Sequence, residues 1–434
     1  MSEASIDEVL SEEDFQPLAK ERGERFGRLA HTLLARAPGG WTRRHFYQLI
    51  VEADVFEAFL DDHGAAYNRT YRLFRELVAS VRGLARAGYA VRHLESRFDS
   101  YGTRLSAIPI EEERFCEAVE EARRFLEESL RGLLAESLEE AARRGVDLSS
   151  ASFSEDEYIT DRSRRRLPRN LDGEIQEDEE HYIASVASRY LDVCDLFDEL
   201  GLGEISSAAE RERYLSEICT EERARVYEAS VHNLQSAYDT YIGDTALEES
   251  DDRLPRMRGH ISVAFHLLEA VTDLVHFVER HEGARSNEAS AKIAEIVDRD
   301  RVVQIAYDNL LAWAVRMIHL GREYAEALVP TYTNQRDLTV EVPDELTLHA
   351  RPVSLIVKIV DHHGTPVSCE VDGSECNAGS ILEMMITVGS NSEARRYIFT
   401  GDERPLADIQ RLFEAGLGEG GLEHLPKELE YLRR

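Results

Sequence analysis

The sequence predicts two architectures in one chain. Residues 1–330 read as all-α and residues 337–415 as a small α+β unit, with a linker at 331–336 and a tail at 416–434. Three observations carry this division. Apolar residues recur at helical spacing from Phe15 to Leu328, with no alternating stretch among them. The first period-2 run is Leu338, Val340 and Val342, separated by Thr339 and Glu341. Asp372-Gly373 then supplies a two-residue hairpin turn.

Within the helical region the elements follow from apolar stripes and their stops. A first helix runs from Phe15 to about Arg36 and ends at Pro38-Gly39-Gly40. Thr42 is an N-cap for a second, which carries Phe46, Leu49, Ile50, Val55, Phe56 and Phe59 and closes at Gly64. A third spans about Tyr67 to Ala87, with helical texture through Leu94. Glu111–Arg144 is the longest uninterrupted pattern. Its acidic start and Arg143-Arg144 end match the helix dipole, and Gly145 is its stop. Residues 146–178 break the pattern, so the region is either one elongated bundle or two divided there. Further helices are expected at 179–200, 206–218, 221–241, 253–282 and 287–328.

Composition narrows the function classes. A chain of 434 residues with 43% hydrophobic content can fold more than one core. Its net charge of −33 argues against nucleic acid or an anionic membrane as partner. No membrane-length apolar run is evident, and the acidic N-terminal residues lack the features of a secretory signal. Five cysteines without a CxxC pair read as reduced thiols, so a cytoplasmic location is expected. A two-residue turn at 372–373 would place Cys369 opposite Cys376, at a hydrogen-bonded pair whose side chains lie too far apart for a disulfide.

Other candidate sites are weak. The basic run Arg162–Arg169 reads first as a solvated interdomain loop. His260, His266, His276 and His281 share one helix without metal-ligand spacing; a second phosphotransfer histidine there is conceivable, but structural or surface histidines are the expected reading. Glu177 and His181 sit at i,i+4 and read as a surface ion pair. No GxSxG, phosphate loop or dinucleotide fingerprint is present, so neither a cofactor nor a metal is expected.

The stretch Thr347-Leu348-His349-Ala350-Arg351-Pro352 carries the chemistry. Pro352 suits a first helical turn, and Val353, Ile356, Val357 and Val360 then fall on one face. His349 therefore lies at a helix N-terminus, where free amides can receive phosphoryl oxygens. Arg351 can add a charge-assisted hydrogen bond. Phosphoryl transfer depends mainly on such positioning and charge. An ordinary histidine N-cap fits the same residues.

Together with Val371-Asp372-Gly373 and Asn377-Ala378-Gly379-Ser380-Ile381-Leu382, this stretch resembles HPr, the histidine phosphocarrier family of the phosphoenolpyruvate-dependent phosphotransferase system. The resemblance covers 337–415 and departs at Thr347 and Glu383, where the family usually has glycine. It implies an open-faced sandwich of four antiparallel strands and three helices: strand 337–342, helix 350–361, strands 366–371 and 374–378, helix 379–386, strand 395–400 and helix 404–415. It also implies His349 as phosphoryl acceptor, Arg351 as phosphate partner, Ser380 as a regulatory serine, and Ile381, Leu382 and Met385 as a docking patch. The implied partners are phosphorylated enzyme I and an acceptor of enzyme II A-type or a regulator. The competing expectation is a non-transferring scaffold that uses this unit for docking.

Overall fold

The computed structural model describes residues 9–159, 179–203, 205, 207–282, 288–343 and 346–433. These residues are mostly helical, with one four-stranded antiparallel sheet. They form two compact units. One takes Met1–Pro168, Phe197–His232 and Gly259–His319; the other takes Arg169–Leu196, Asn233–Arg258 and Leu320–Arg434. The partition differs from the division at 146–178 and 330 expected from sequence, because the sheet-bearing unit also takes in helical segments from earlier in the chain.

In the first unit, Ser11 caps α1 (Glu12–Leu34), its hydroxyl accepting from the Asp14 amide at 3.1 Å. Helix α2 (Arg43–Asp62) starts after Thr42, whose amide donates to His45 Nδ1 at 2.9 Å. A 3₁₀ turn at Ala65–Tyr67 precedes α3 (Arg72–Arg97), so the third helix starts later and runs further than expected. Pro109 opens α4 (Pro109–Arg143), and Gly145, at φ 75°, ends it.

The expected break after α4 is only partly a loop. Leu148, Phe153 and Tyr158 are buried. A Cβ on Gly23 or Gly27 would lie 2.9 or 2.7 Å from Leu148, so these two glycines of α1 let the segment approach closely. The amides of Phe153 and Ile159 donate to Thr32 Oγ1 and Gln48 Oε1, each at 2.8 Å. Residues 146–159 are thus a strap over α1 and α2. The basic run 162–169 and Glu177 lie outside the described residues.

The chain continues through α5 (Glu179–Asp198), α6 (Ala208–Glu217), α7 (Glu221–Tyr241), α8 (Ala246–Ser250) and α9 (Arg253–Glu282). Contrary to the sequence reading, Arg253–Arg280 is long and apolar enough to cross a membrane by length and composition. Of its most apolar window, 72% is buried inside the protein, which is the setting of a core helix. The single helix expected over 287–328 is broken into α10 (Glu288–Ile296), α11 (Arg299–Gln304), a π-helical turn (Ile305–Leu311) and α12 (Ala312–Thr331). The Asp298 carboxylate causes the first break by capping α11, accepting from the Arg301 amide at 3.2 Å. No strand precedes Gln335 among the described residues.

The sheet-bearing unit follows the expected element order: β1 (Gln335–Glu341), α13 (Ala350–His363), β2 (Val367–Val371), β3 (Ser374–Asn377), α14 (Ile381–Ser390), β4 (Arg396–Asp402) and α15 (Glu403–Glu414). Helix α12 runs through Pro330, so only residues 332–334 link it to β1. The strand order is β1-β4-β2-β3, all pairs antiparallel. Val353, Ile356 and Ile359 of α13 and Ile409 and Leu412 of α15 belong to one core with Cys369 and Phe399 of the sheet. Asp372 and Gly373 both have positive φ, 48° and 80°, as a primed two-residue turn requires. That turn sets Cys369 opposite Cys376, and both thiols are free.

Residues 416–433, read from the sequence as a polar tail with some helical character, keep the helical character but are not wholly polar surface. They form short 3₁₀ turns whose Leu417, Leu425, Leu429 and Leu432 are buried in the same core. Leu425, Leu429 and Leu432, spaced by four and three residues, were the available signal; the surrounding charges masked it.

Candidate functional site

His349 is the N-cap of α13, with extended backbone at φ −139° and ψ −172°. Its carbonyl accepts the Val353 amide at 3.0 Å, closing the first turn. Pro352 lacks an amide to leave unpaired there. The Arg351 amide instead points at the imidazole, 3.4 Å from Nδ1. On the other side of the ring, Nε2 lies 3.1 Å from Glu419 Oε1. A carboxylate only accepts, so Nε2 carries the proton, and Nδ1 keeps its lone pair toward the helix N-terminus. The imidazole side chain is 49% exposed.

Glu419, which the sequence reading left in the tail, is the residue brought against His349. Three consecutive residues, Gly416, Leu417 and Gly418, have φ of 68°, 59° and 73° and turn the chain after α15. A left-handed leucine costs about 1–2 kcal/mol, and here the fully buried Leu417 side chain offsets that cost. Gly418 has a second reason to be glycine: a Cβ there would stand 2.9 Å from Leu355 of α13. The turn places Glu419 against His349.

A cleft of about 390 Å³ opens beside the ring, lined by Val342, Leu348, Met385, Val388 and Tyr397 along with His349 itself. Arg395, also in its lining, donates to the carbonyls of Pro343 and Leu346 at 3.3 and 2.6 Å and so holds the loop that delivers His349. The Arg351 side chain is exposed, and among the described residues no carboxylate pairs with it.

Ser380 is the N-cap of α14, its hydroxyl accepting from the Glu383 amide at 3.3 Å. Glu383 reaches back to accept the Asn377 amide at 3.0 Å, tying the first turn of α14, where an acidic residue is favoured, to the end of β3. Ile381, Leu382 and Met385 are 50%, 68% and 36% exposed, and Ile386, not singled out in the sequence, is 59% exposed. Met384 faces the core instead. Met385 belongs to both patch and cleft, so the apolar surface borders the imidazole.

The histidines of α9 separate by environment. His260 is fully buried, and His266 Nδ1 lies 2.7 Å from Glu269. His276 Nδ1 lies 2.7 Å from Glu221 of α7. Comparison with known proteins returns no matching family model, no matching curated protein and no matching solved structure.

Proposed function

We propose that His349 is the phosphoryl acceptor of an HPr-type phosphocarrier unit, within an open-faced sandwich of the HPr kind. The observation that carries the reading is the pair of opposed contacts on one imidazole: Glu419 at Nε2 and a helix N-terminal amide at Nδ1. In the reaction the Nδ1 lone pair attacks phosphorus and an N–P bond forms. The bond from phosphorus to the donor breaks, and the donor leaves with its electron pair. The Nε2 proton stays in place. The ring then bears positive charge, which the Glu419 carboxylate balances, while the α13 amides and the Arg351 guanidinium receive the phosphoryl oxygens.

The donor is phosphorylated enzyme I, and the acceptor is an enzyme II A-type protein or a regulator, docked on Ile381, Leu382, Met385 and Ile386. Transfer between proteins needs an exposed imidazole beside an apolar docking surface, and both features border the cleft. The test is incubation of the intact chain with phosphoenolpyruvate and enzyme I. Acid-labile phosphate on the wild type and none on His349→Ala is the expected result. Equal labelling of both proteins would refute the assignment.

A further inference from the structure

We propose that the helical unit holds a second site, a cavity for a phosphate-class oxyanion, lined by Arg82, Arg86, Arg225 and Arg280 with the ring of His276. Helices α2, α3, α7 and α9 supply the lining, and all of the lining residues belong to the first compact unit. The space is about 170 Å³. That is room for one tetrahedral anion with a few waters.

The charge of the lining runs against that of the chain. Five guanidiniums, counting Arg75, face three carboxyls, Glu57, Glu76 and Asp273, in a protein of net charge −33. The inner guanidiniums are fixed. Glu57 holds Arg75 at 3.1 Å and Arg82 at 2.5 Å, and Asp61 holds Arg75 at 2.7 Å. The outer ones have room to receive a ligand: Arg86 is 53% exposed and Arg225 57%. Glu221 orients both Arg225, at 2.6 Å, and the His276 ring, at 2.7 Å.

Gly83 provides an independent observation. It sits inside α3, where glycine is a poor helix former, and it lines the cavity. A Cβ built there meets nothing within 4 Å, so no packing contact demands glycine. What the missing side chain leaves is open volume between the arginines.

Asp273 gives the site a pH response. Burial pushes its carboxyl up to about 7. Arg86 of α3 and Arg225 of α7 act downward; Glu228 of α7 and Glu269 of its own helix act upward. His276 shares the cavity on the same helix. When Asp273 is neutral, Arg86, 3.4 Å away, is released to an anion. When it ionises, it competes for that guanidinium.

The test is titration calorimetry on the full chain with sulfate, inorganic phosphate and glucose 6-phosphate. Sulfate stays a dianion across the range, so its pH profile reports the protein alone. Saturable binding is expected, weakened about tenfold by Arg86→Ala or Arg280→Ala and abolished by Gly83→Leu, which fills the space and leaves every charge. Sulfate binding should weaken as pH rises through about 7, and Asp273→Asn should tighten it and flatten that profile. Tighter binding of phosphate than of glucose 6-phosphate identifies the free ion as ligand, and the reverse identifies a phosphate ester; both agree with the proposal. No saturable binding of any of the three anions would overturn it. So would binding unchanged by both Gly83→Leu and the Arg86→Ala/Arg280→Ala double variant, which also decides the matter if Gly83→Leu does not fold.

Discussion

Glu419 Oε1 and His349 Nε2 stand 3.1 Å apart, and this pairing gives the two imidazole nitrogens opposite duties. Nε2 holds a proton against a carboxylate, and Nδ1 meets an amide of α13. Glu419→Gln keeps a hydrogen-bond acceptor and removes the charge that balances the phosphorylated ring. It should slow phosphorylation of His349 by about tenfold, or ~1.4 kcal/mol in the barrier, with an unchanged melting temperature. Single-turnover labelling with phosphorylated enzyme I measures the rate.

The left-handed turn that aims Glu419 is a separate target. Gly418→Ala meets both a positive φ and Leu355 at 2.9 Å. It should cost about 1–2 kcal/mol of stability and slow phosphorylation at least as much as Glu419→Gln. Urea unfolding followed by the same labelling assay separates the two effects.

The C-terminal turns should behave as core. Leu429 is fully buried, and Leu429→Ala should destabilise by about 2–5 kcal/mol. A loss below about 0.5 kcal/mol in chemical denaturation would mean that the segment is a dispensable tail.

Ser380 separates capping from charge. Ser380→Ala removes the hydroxyl that accepts the Glu383 amide and should cost about 0.5–2 kcal/mol. Ser380→Asp retains a capping oxygen, so its stability should stay near wild type. Its added charge beside Ile381 and Leu382 should weaken partner docking, which raises KM for enzyme I and leaves the maximal labelling rate in place.

Asp273 makes a stability prediction with a definite sign. Its folded-state carboxyl titrates at about 7, above the usual value of 3.8, because burial disfavours the charge. The unfolded chain therefore loses this proton first, and stability falls as pH rises from about 4 to 7. Asp273→Asn should remove that slope and be the more stable protein above pH 7, by at most about 4 kcal/mol. Melting curves from pH 5 to 8 check it.

Local chemistry made most of the segment from β1 to α15 legible in the sequence. Asp372-Gly373 specifies its turn, and the turn fixes the register that sets Cys369 opposite Cys376. Pro352 and the apolar stripe after it place His349 at a helix start. Ser380 and Glu383 mark another. What sequence could not supply is contact between segments far apart in the chain. Glu419 lies 70 residues from His349 and reaches it through a turn in which Leu417 adopts a conformation no propensity favours. The strap at 146–159 was hidden for the same reason, since Leu148, Phe153 and Tyr158 are too sparse to show periodicity and find their partners in helices formed over 100 residues earlier. Asp298 was readable as a cap, but the apolar pattern on both sides ran through it.

The most direct test of the phosphocarrier account is the attachment site of the phosphoryl group on the ring. Long-range ¹H–¹⁵N spectra of the intact chain, phosphorylated by phosphoenolpyruvate and enzyme I, distinguish the two imidazole nitrogens. Phosphorus is expected on Nδ1 of His349, with the Nε2 proton retained against Glu419. Phosphorus on Nε2, or no phosphohistidine with an enzyme I proven active on its own carrier, would contradict it.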